Sequence, residues 1–231
     1  MGSPHADGPH MGQLPTEPAH MAEQPIGVAH TGSAATTLRD VIGLNNQLPR
    51  LSDSALIMID FQNTYTTGVM ALEGSAQALD AGSRLLSAAR AADISVIHVV
   101  NDGGEGTPYD IRAEIGAICP QVTPLQGEPV VVKRFPNSFH DTELQEILRE
   151  LGVGGDLVLA GFMTHMCVTF TAQGAFNLGY RPTVVAEATA TRTLPGPDGK
   201  PIPAPVLKNA SLTTITDLFG TVAPTVASLP T

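Results

Sequence analysis

The sequence predicts an α/β protein: a three-layer α/β/α sandwich around a mainly parallel, doubly wound sheet of about six strands. Three observations carry this. Short apolar runs recur along the chain, and the segments between them return their apolar residues at helical spacing. The runs are apolar throughout rather than alternating, as strands buried on both faces of a parallel sheet are. The helical segments supply the long right-handed crossovers that parallel neighbours need.

Ala55-Leu56-Ile57-Met58-Ile59 is the first run, and it ends in Asp60. Over 76–92, Leu79, Leu85, Leu86 and Ala89 share one helical face, with Arg84 and Arg90 elsewhere. Ile94-Ser95-Val96-Ile97-His98-Val99-Val100 reads as the second strand. The long segment 101–128 carries Gly103-Gly104-Glu105-Gly106 and spacing for a short helix over 109–118. No Lys-Ser/Thr pair follows those glycines, so they read as a rim loop rather than a phosphate loop, with Thr107-Pro108-Tyr109-Asp110 as a lid. Pro129-Val130-Val131-Val132 is the third strand and ends in Lys133. Residues 141–151 are helical, with Leu144, Ile147, Leu148 and Leu151 on one stripe. Asp156-Leu157-Val158-Leu159-Ala160-Gly161 is the fourth strand; Phe162-Met163-Thr164-His165-Met166 is a tight crossing, and Cys167 opens the next helix. Pro182-Thr183-Val184-Val185-Ala186 is the fifth strand. A Pro- and Gly-rich loop at 193–203, a helix near 205–219 and a short strand near Val222 complete the order.

The chain has 231 residues, 42% of them hydrophobic, enough for one domain, placed at 36–231. Residues 1–35 show no period and read as a disordered tail or expression leader; His5, His10, His20 and His30 are too widely spaced for a metal site. The formal net charge of −10, with no basic cluster, argues against nucleic acid and anionic membrane surfaces as partners. No apolar run is long enough for a membrane helix, and no cationic start precedes an apolar stretch. Two cysteines give no disulfide framework, and a reducing cytoplasm fits best.

The chemistry gathers at strand ends. Asp60 follows the first strand, Lys133 ends the third, and Cys167 lies just past the fourth. Open α/β sheets bind ligands beyond the carboxyl ends of their strands, where the winding reverses. If the order is 3-2-1-4-5, Asp60 and Cys167 face each other across that crevice and Lys133 reaches in from the side. A thiol at a helix N-terminus also meets unpaired N–H groups and the positive end of the helix dipole, which favour the thiolate. That makes a nucleophile, a carboxylate to take its proton and a cation to hold the carboxylate ionised. Gln62 and Tyr65 after the Asp, Phe135 with Asn137 and Phe139 after the Lys, and Phe162, Thr164 and His165 in the crossing are the candidate pocket wall. Arg192 has two readings, a substrate-carboxylate anchor or a surface ion pair. Cys119, before Pro120, reads as core or as a surface thiol.

These motifs resemble the isochorismatase-like cysteine hydrolases, which include nicotinamidases, N-carbamoylsarcosine amidohydrolase and streptothricin hydrolase. The resemblance runs from about Ser54 to the C-terminus and rests on 55–65, on Val132-Lys133-Arg134-Phe135-Pro136-Asn137-Ser138-Phe139 and on Gly161-Phe162-Met163-Thr164-His165-Met166-Cys167-Val168. It implies an Asp60–Lys133–Cys167 catalytic triad, the sheet order 3-2-1-4-5-6, a cis peptide at Phe162–Met163, and an oxyanion hole from the backbone N–H groups of Met163 and Cys167. It also implies a homo-oligomer, a dimer or larger. Isochorismatase proper cleaves a vinyl ether and needs no cysteine, so Cys167 points to a C–N hydrolase. Nicotinamidases hold a metal through an Asp-x-His pair and further histidines; here only His98 lies in that region, with Asp102 and Asp110 nearby, so no metal and no cofactor are expected.

The expected function is therefore a metal-independent cysteine hydrolase. It cleaves an amide, lactam or ureido bond of a small molecule through a thioester. The alternatives are vinyl-ether hydrolysis, or a non-hydrolytic oligomeric or thiol-sensing protein on the same fold.

Overall fold

The structure, a computed structural model, describes residues 36–230; the tail expected at 1–35 lies outside them. Eight strands form in chain order: β1 (Ala55–Ile59), β2 (Val96–Asn101), β3 (Val130–Lys133), β4 (Asp156–Phe162), β5 (Arg181–Ala190), β6 (Leu194–Pro195), β7 (Pro201–Ile202) and β8 (Thr221–Ala223). The α-helices are α1 (Leu38–Val41), α2 (Ser75–Ala91), α3 (Leu144–Glu150), α4 (Thr169–Asn177) and α5 (Ala204–Thr214). Six strands make one parallel sheet, ordered β3-β2-β1-β4-β5-β8. That is the expected doubly wound order. The small β6–β7 hairpin lies within the stretch read as loop.

Side chains alternate across the sheet, as the pleat requires. Leu56 and Met58 of β1 and Val158 and Ala160 of β4 pack with Leu79, Leu85 and Leu86 of α2. Ile57 and Ile59 of β1 and Leu157 and Leu159 of β4 pack on the opposite side with Leu144 and Leu148 of α3 and Ala172 and Ala175 of α4. These two apolar layers explain why the central strands read as unbroken apolar runs. The edge strand β3 does not follow them: Val131 is buried, while Val130 and Val132 are 43% and 45% exposed.

Local differences have physical causes. The helix expected over 109–118 is absent, and only a 3₁₀ turn at Glu114–Gly116 forms there. Gly116 packs so closely on the Asp110 carbonyl that a Cβ would lie 2.3 Å from it, which a continuous helix would not allow. The helix expected over 141–151 starts at Leu144, because Asp141 adopts φ +54 and Thr142 turns back to the Ser138 carbonyl. β5 runs on to Ala190 through a register shift against β4, pairing Gly161 with Thr189. The extension carries Thr191 and Arg192 to the carboxyl end of the sheet.

Candidate active site

Asp60, Lys133 and Cys167 come together at the carboxyl ends of the strands. β1 pairs β4 up to Ile59–Gly161, and β2 pairs β3 up to Asn101–Lys133, so all three residues leave the sheet at the same end. Asp60 leaves β1 at φ +50, a left-handed conformation that non-glycine residues adopt mainly where the surroundings hold them in it. Lys133 Nζ lies 2.8 Å from Asp60 Oδ2 and donates to Cys167 Sγ at 3.3 Å. Asp60 and Lys133 are fully buried, and Cys167 is 6% exposed.

The electrostatics differ from a simple helix-end thiolate. The helical segment begins at Thr164 as a π turn that runs into α4, so Cys167 lies inside the first turn rather than opening the helix. Burial pushes the Cys167 thiol up from its ordinary value, and the Asp60 charge adds to that against Lys133. Burial likewise raises the Asp60 carboxyl, opposed by the Lys133 charge. Hydrogen bonds from Lys133 and from the Cys167 thiol lower it further, and burial still wins. Burial works against the Lys133 ammonium, yet Asp60 and Cys167 outweigh it and hold its pKa above the ordinary value. The resting site thus sets the Lys133 ammonium against a carboxyl and a thiol that burial pushes toward their neutral forms. The raised carboxyl is a better match to take that thiol's proton than an ordinary aspartate.

The Phe162–Met163 peptide is cis. The Met163 carbonyl accepts from the N–H groups of both Met166 and Val168, on either side of Cys167. Thr164 is fully buried and its hydroxyl has no hydrogen-bond partner. His165 Nδ1 lies 2.5 Å from Thr191 Oγ1. Arg192 is close enough to His165 to lower its pKa, after the larger effect of burial, and its own Nε is buried and unpartnered. Tyr65 is buried against Phe162, ring centroids 5.6 Å apart.

Two expected wall residues lie elsewhere. Gln62 is buried, and its amide is spent on the backbone. Its oxygen accepts from Asn101 N–H, and its nitrogen donates to the carbonyls of Asn101 and Gly116. It ties together both feet of the loop between β2 and β3 and leaves no group for a substrate. Phe135 is 45% exposed and packs edge-on against His140 at the surface. Phe162 is wholly buried between Phe61 and Tyr65, so it backs the site from the core. Asn137 accepts from the Phe139 N–H and crowds Gly174 of α4; it shapes the backbone after Lys133. Cys119 is core, and burial raises its thiol to about 11.

The groups considered for a metal are engaged. His98 Nε2 lies 3.0 Å from Glu128, which also holds Arg90. Arg112 grips Asp102 with both terminal nitrogens and Asp110 with Nε. Among the described residues no cluster of His, Cys, Asp and Glu is placed to hold a metal ion. No helix among them is long and apolar enough to cross a membrane.

The sequence matches the isochorismatase domain over residues 54–225. A crystal structure of an isochorismatase from Pseudomonas putida KT2440 is 40% identical, with a TM-score of 0.81, covering 85% of this chain and 100% of that one. A secreted isochorismatase effector of Verticillium dahliae is 34% identical over 80% of this chain and 95% of its own length. Maleamate amidohydrolase of Pseudomonas putida is 32% identical over 60% of this chain and 72% of its own. Streptothricin hydrolase of Streptomyces noursei is 34% identical over 61% of this chain but only 51% of its own length. The isochorismatase match covers the sheet and all three clustered groups, and the chain belongs to the isochorismatase family of hydrolases.

Proposed function

We propose that this chain is a metal-independent cysteine hydrolase that cleaves a C–N bond of a small amide, lactam or ureido compound through a thioester on Cys167. The observation that carries the reading is the buried contact of Lys133 with both Asp60 and Cys167. Relatives named as amidohydrolases support the bond type.

Asp60 takes the thiol proton as sulfur attacks the carbonyl carbon. The backbone N–H groups of Met163 and Cys167 receive the developing oxyanion, each such donor being worth about 3–4 kcal/mol in comparable sites. Asp60 returns the proton to the nitrogen, the C–N bond breaks, and the amine leaves. Water, deprotonated by Asp60, then cleaves the C–S bond and releases the acid and the thiol. Lys133 stays charged throughout and stabilises the ionised carboxylate. The unpartnered Thr164 hydroxyl is free to bond the substrate, and the unpartnered Nε of Arg192 suits a substrate carboxylate. Because both cysteines are free, we place the enzyme in the cytoplasm, a location that fractionation of the native host tests. We also propose a homo-oligomer, to be read by light scattering on a sizing column.

The test is an amine-release screen over small amides, lactams and ureido compounds, with intact-mass detection of an acyl-enzyme and a Cys167→Ala control. Turnover with an adduct that Cys167→Ala abolishes supports the reading; turnover unchanged in Cys167→Ala rejects it. Relatives named isochorismatase favour a second reading, vinyl-ether cleavage. Pyruvate release from isochorismate that survives Cys167→Ala would select it.

A further inference from the structure

The loop between β2 and β3 stands beside the nucleophile and is built as a rigid wall. Its first foot is bonded to the strand end that bears the lysine, Asp102 N–H donating to the Lys133 carbonyl at 2.9 Å. Its return foot is bonded to the segment that follows the aspartate, Asn63 N–H donating to the Ala117 carbonyl and Cys119 N–H to the Phe61 carbonyl. The Gln62 amide joins the two feet, and Arg112 locks Asp102 to Asp110 above them. The backbone of Tyr109 is held as well, its carbonyl accepting from Gly103 N–H at 3.2 Å.

This frame carries the end of an aromatic stack. Phe61, Phe162, Tyr65 and Tyr109 form a chain of edge-on rings, with successive centroids 4.9, 5.6 and 5.8 Å apart. The first three are core residues, and Tyr109 is the half-buried end of the chain. Burial raises the pKa of its hydroxyl, a hydrogen bond with Tyr65 opposes that, and the charges of Cys167, Arg192 and Asp60 act on it more weakly. The end of an aromatic stack is thus held on the loop whose feet are bonded to the lysine-bearing strand end and to the segment after Asp60.

We propose that Tyr109 is a specificity-determining residue: a fixed wall that admits small, unbranched acyl groups to Cys167 and excludes acyl groups that carry an aromatic ring. The inference rests on Cys167 being the group that substrates must reach. Loop rigidity matters to it, because a mobile tyrosine would swing aside for a large substrate.

The test measures access to Cys167 without requiring turnover. Iodoacetamide and N-(1-naphthyl)iodoacetamide carry the same reactive carbon on a small and on a bulky amide. Labelling is followed by intact mass, and each rate is divided by that of the same reagent with N-acetylcysteine. Cys119 is buried with a thiol near 11, and a Cys167→Ala control subtracts whatever it contributes. In the unsubstituted protein the small reagent should label at least tenfold faster than the bulky one. Tyr109→Ala should bring the ratio near unity, and Tyr109→Phe, which keeps the ring, should leave it unchanged. Tyr109→Leu should fall between them, and it serves in place of Tyr109→Ala if that variant does not fold. Equal rates in the unsubstituted protein, a ratio unmoved by loss of the ring, or no labelling of any variant by either reagent would overturn the proposal. A ratio that shifts as expected in a protein that hydrolyses no amide would leave the wall standing and reject the hydrolase reading alone.

Discussion

At the scale of single residues, the site is governed by burial acting on coupled charges. Burial pushes Asp60 and Cys167 toward their neutral forms, and the Lys133 charge is the largest effect that opposes it at the carboxyl. The acid limb of kcat/KM should therefore report the Asp60 carboxyl, with an inflection above its ordinary 3.8. Because the Lys133 ammonium is held above its ordinary 10.5, the rate should stay flat from there through mildly alkaline pH. A pH–rate profile with its acid inflection at or below 3.8 would contradict this. Removing the lysine has a sign that can be worked out. In Lys133→Ala, Asp60 is a buried carboxylate without a partner, so its folded pKa climbs further above the unfolded one. The stability of the variant is then greatest at low pH and is lost as pH rises through the folded pKa. Melting at pH 5 and pH 8 should show the greater loss at pH 8, where breaking a buried pair costs about 3–5 kcal/mol. Equal losses at the two values would mean that Asp60 is not charged in the fold.

At the scale of elements, what brings the chemistry together is the close approach of β1 to β4. Gly161 sits at φ +139, a conformation that side chains rarely adopt, and a Cβ there would lie 1.8 Å from the Ile59 carbonyl oxygen. Backbone on both sides cannot give way as a flexible side chain would. Gly161→Ala should destabilise the fold by about 4 kcal/mol or more, beyond the ordinary range for a point substitution. Urea denaturation measures this; a loss under about 1 kcal/mol would show that the strands can separate there without cost. The same junction explains a reading that the sequence misled. Gln62 follows the aspartate in the motif and was expected to face substrate, yet its amide binds the backbone of a loop about forty residues away. Nothing local distinguishes a glutamine that faces a pocket from one that staples a loop.

At the scale of the whole molecule, one end of a six-stranded sheet collects residues from β1, β3, the β4–α4 turn and the extension of β5. Asp102, Asp110 and His98 are held by internal partners, Arg112 on the two carboxylates and Glu128 on the imidazole. Exhaustive dialysis against a chelator should leave both the melting temperature and kcat/KM unchanged. Loss of activity that returns with a divalent ion would show that the Arg112 clamp opens to a cation. The formal net charge of −10 predicts that polyanions do not associate, which a gel-shift assay with nucleic acid would check.

The layers, the strand sequence and the three chemical residues were legible in the chain because they depend on local pattern. Apolar runs mark doubly buried strands, helical spacing marks the crossovers, and strand ends mark where a doubly wound sheet binds. The resemblance of the three motifs supplied the strand order, which periodicity does not contain. Tertiary structure alone decided the rest. The thiol is pushed toward its neutral form because burial and the Asp60 charge outweigh Lys133. Val130 and Val132 are exposed because β3 lies at the edge. Phe135 turns to the surface while Tyr109, from a stretch read as a lid and the start of a short helix, ends the aromatic stack against Tyr65. Each of these turns on contacts between segments far apart in the chain, and local spacing records which residues can bury, not which neighbour they meet.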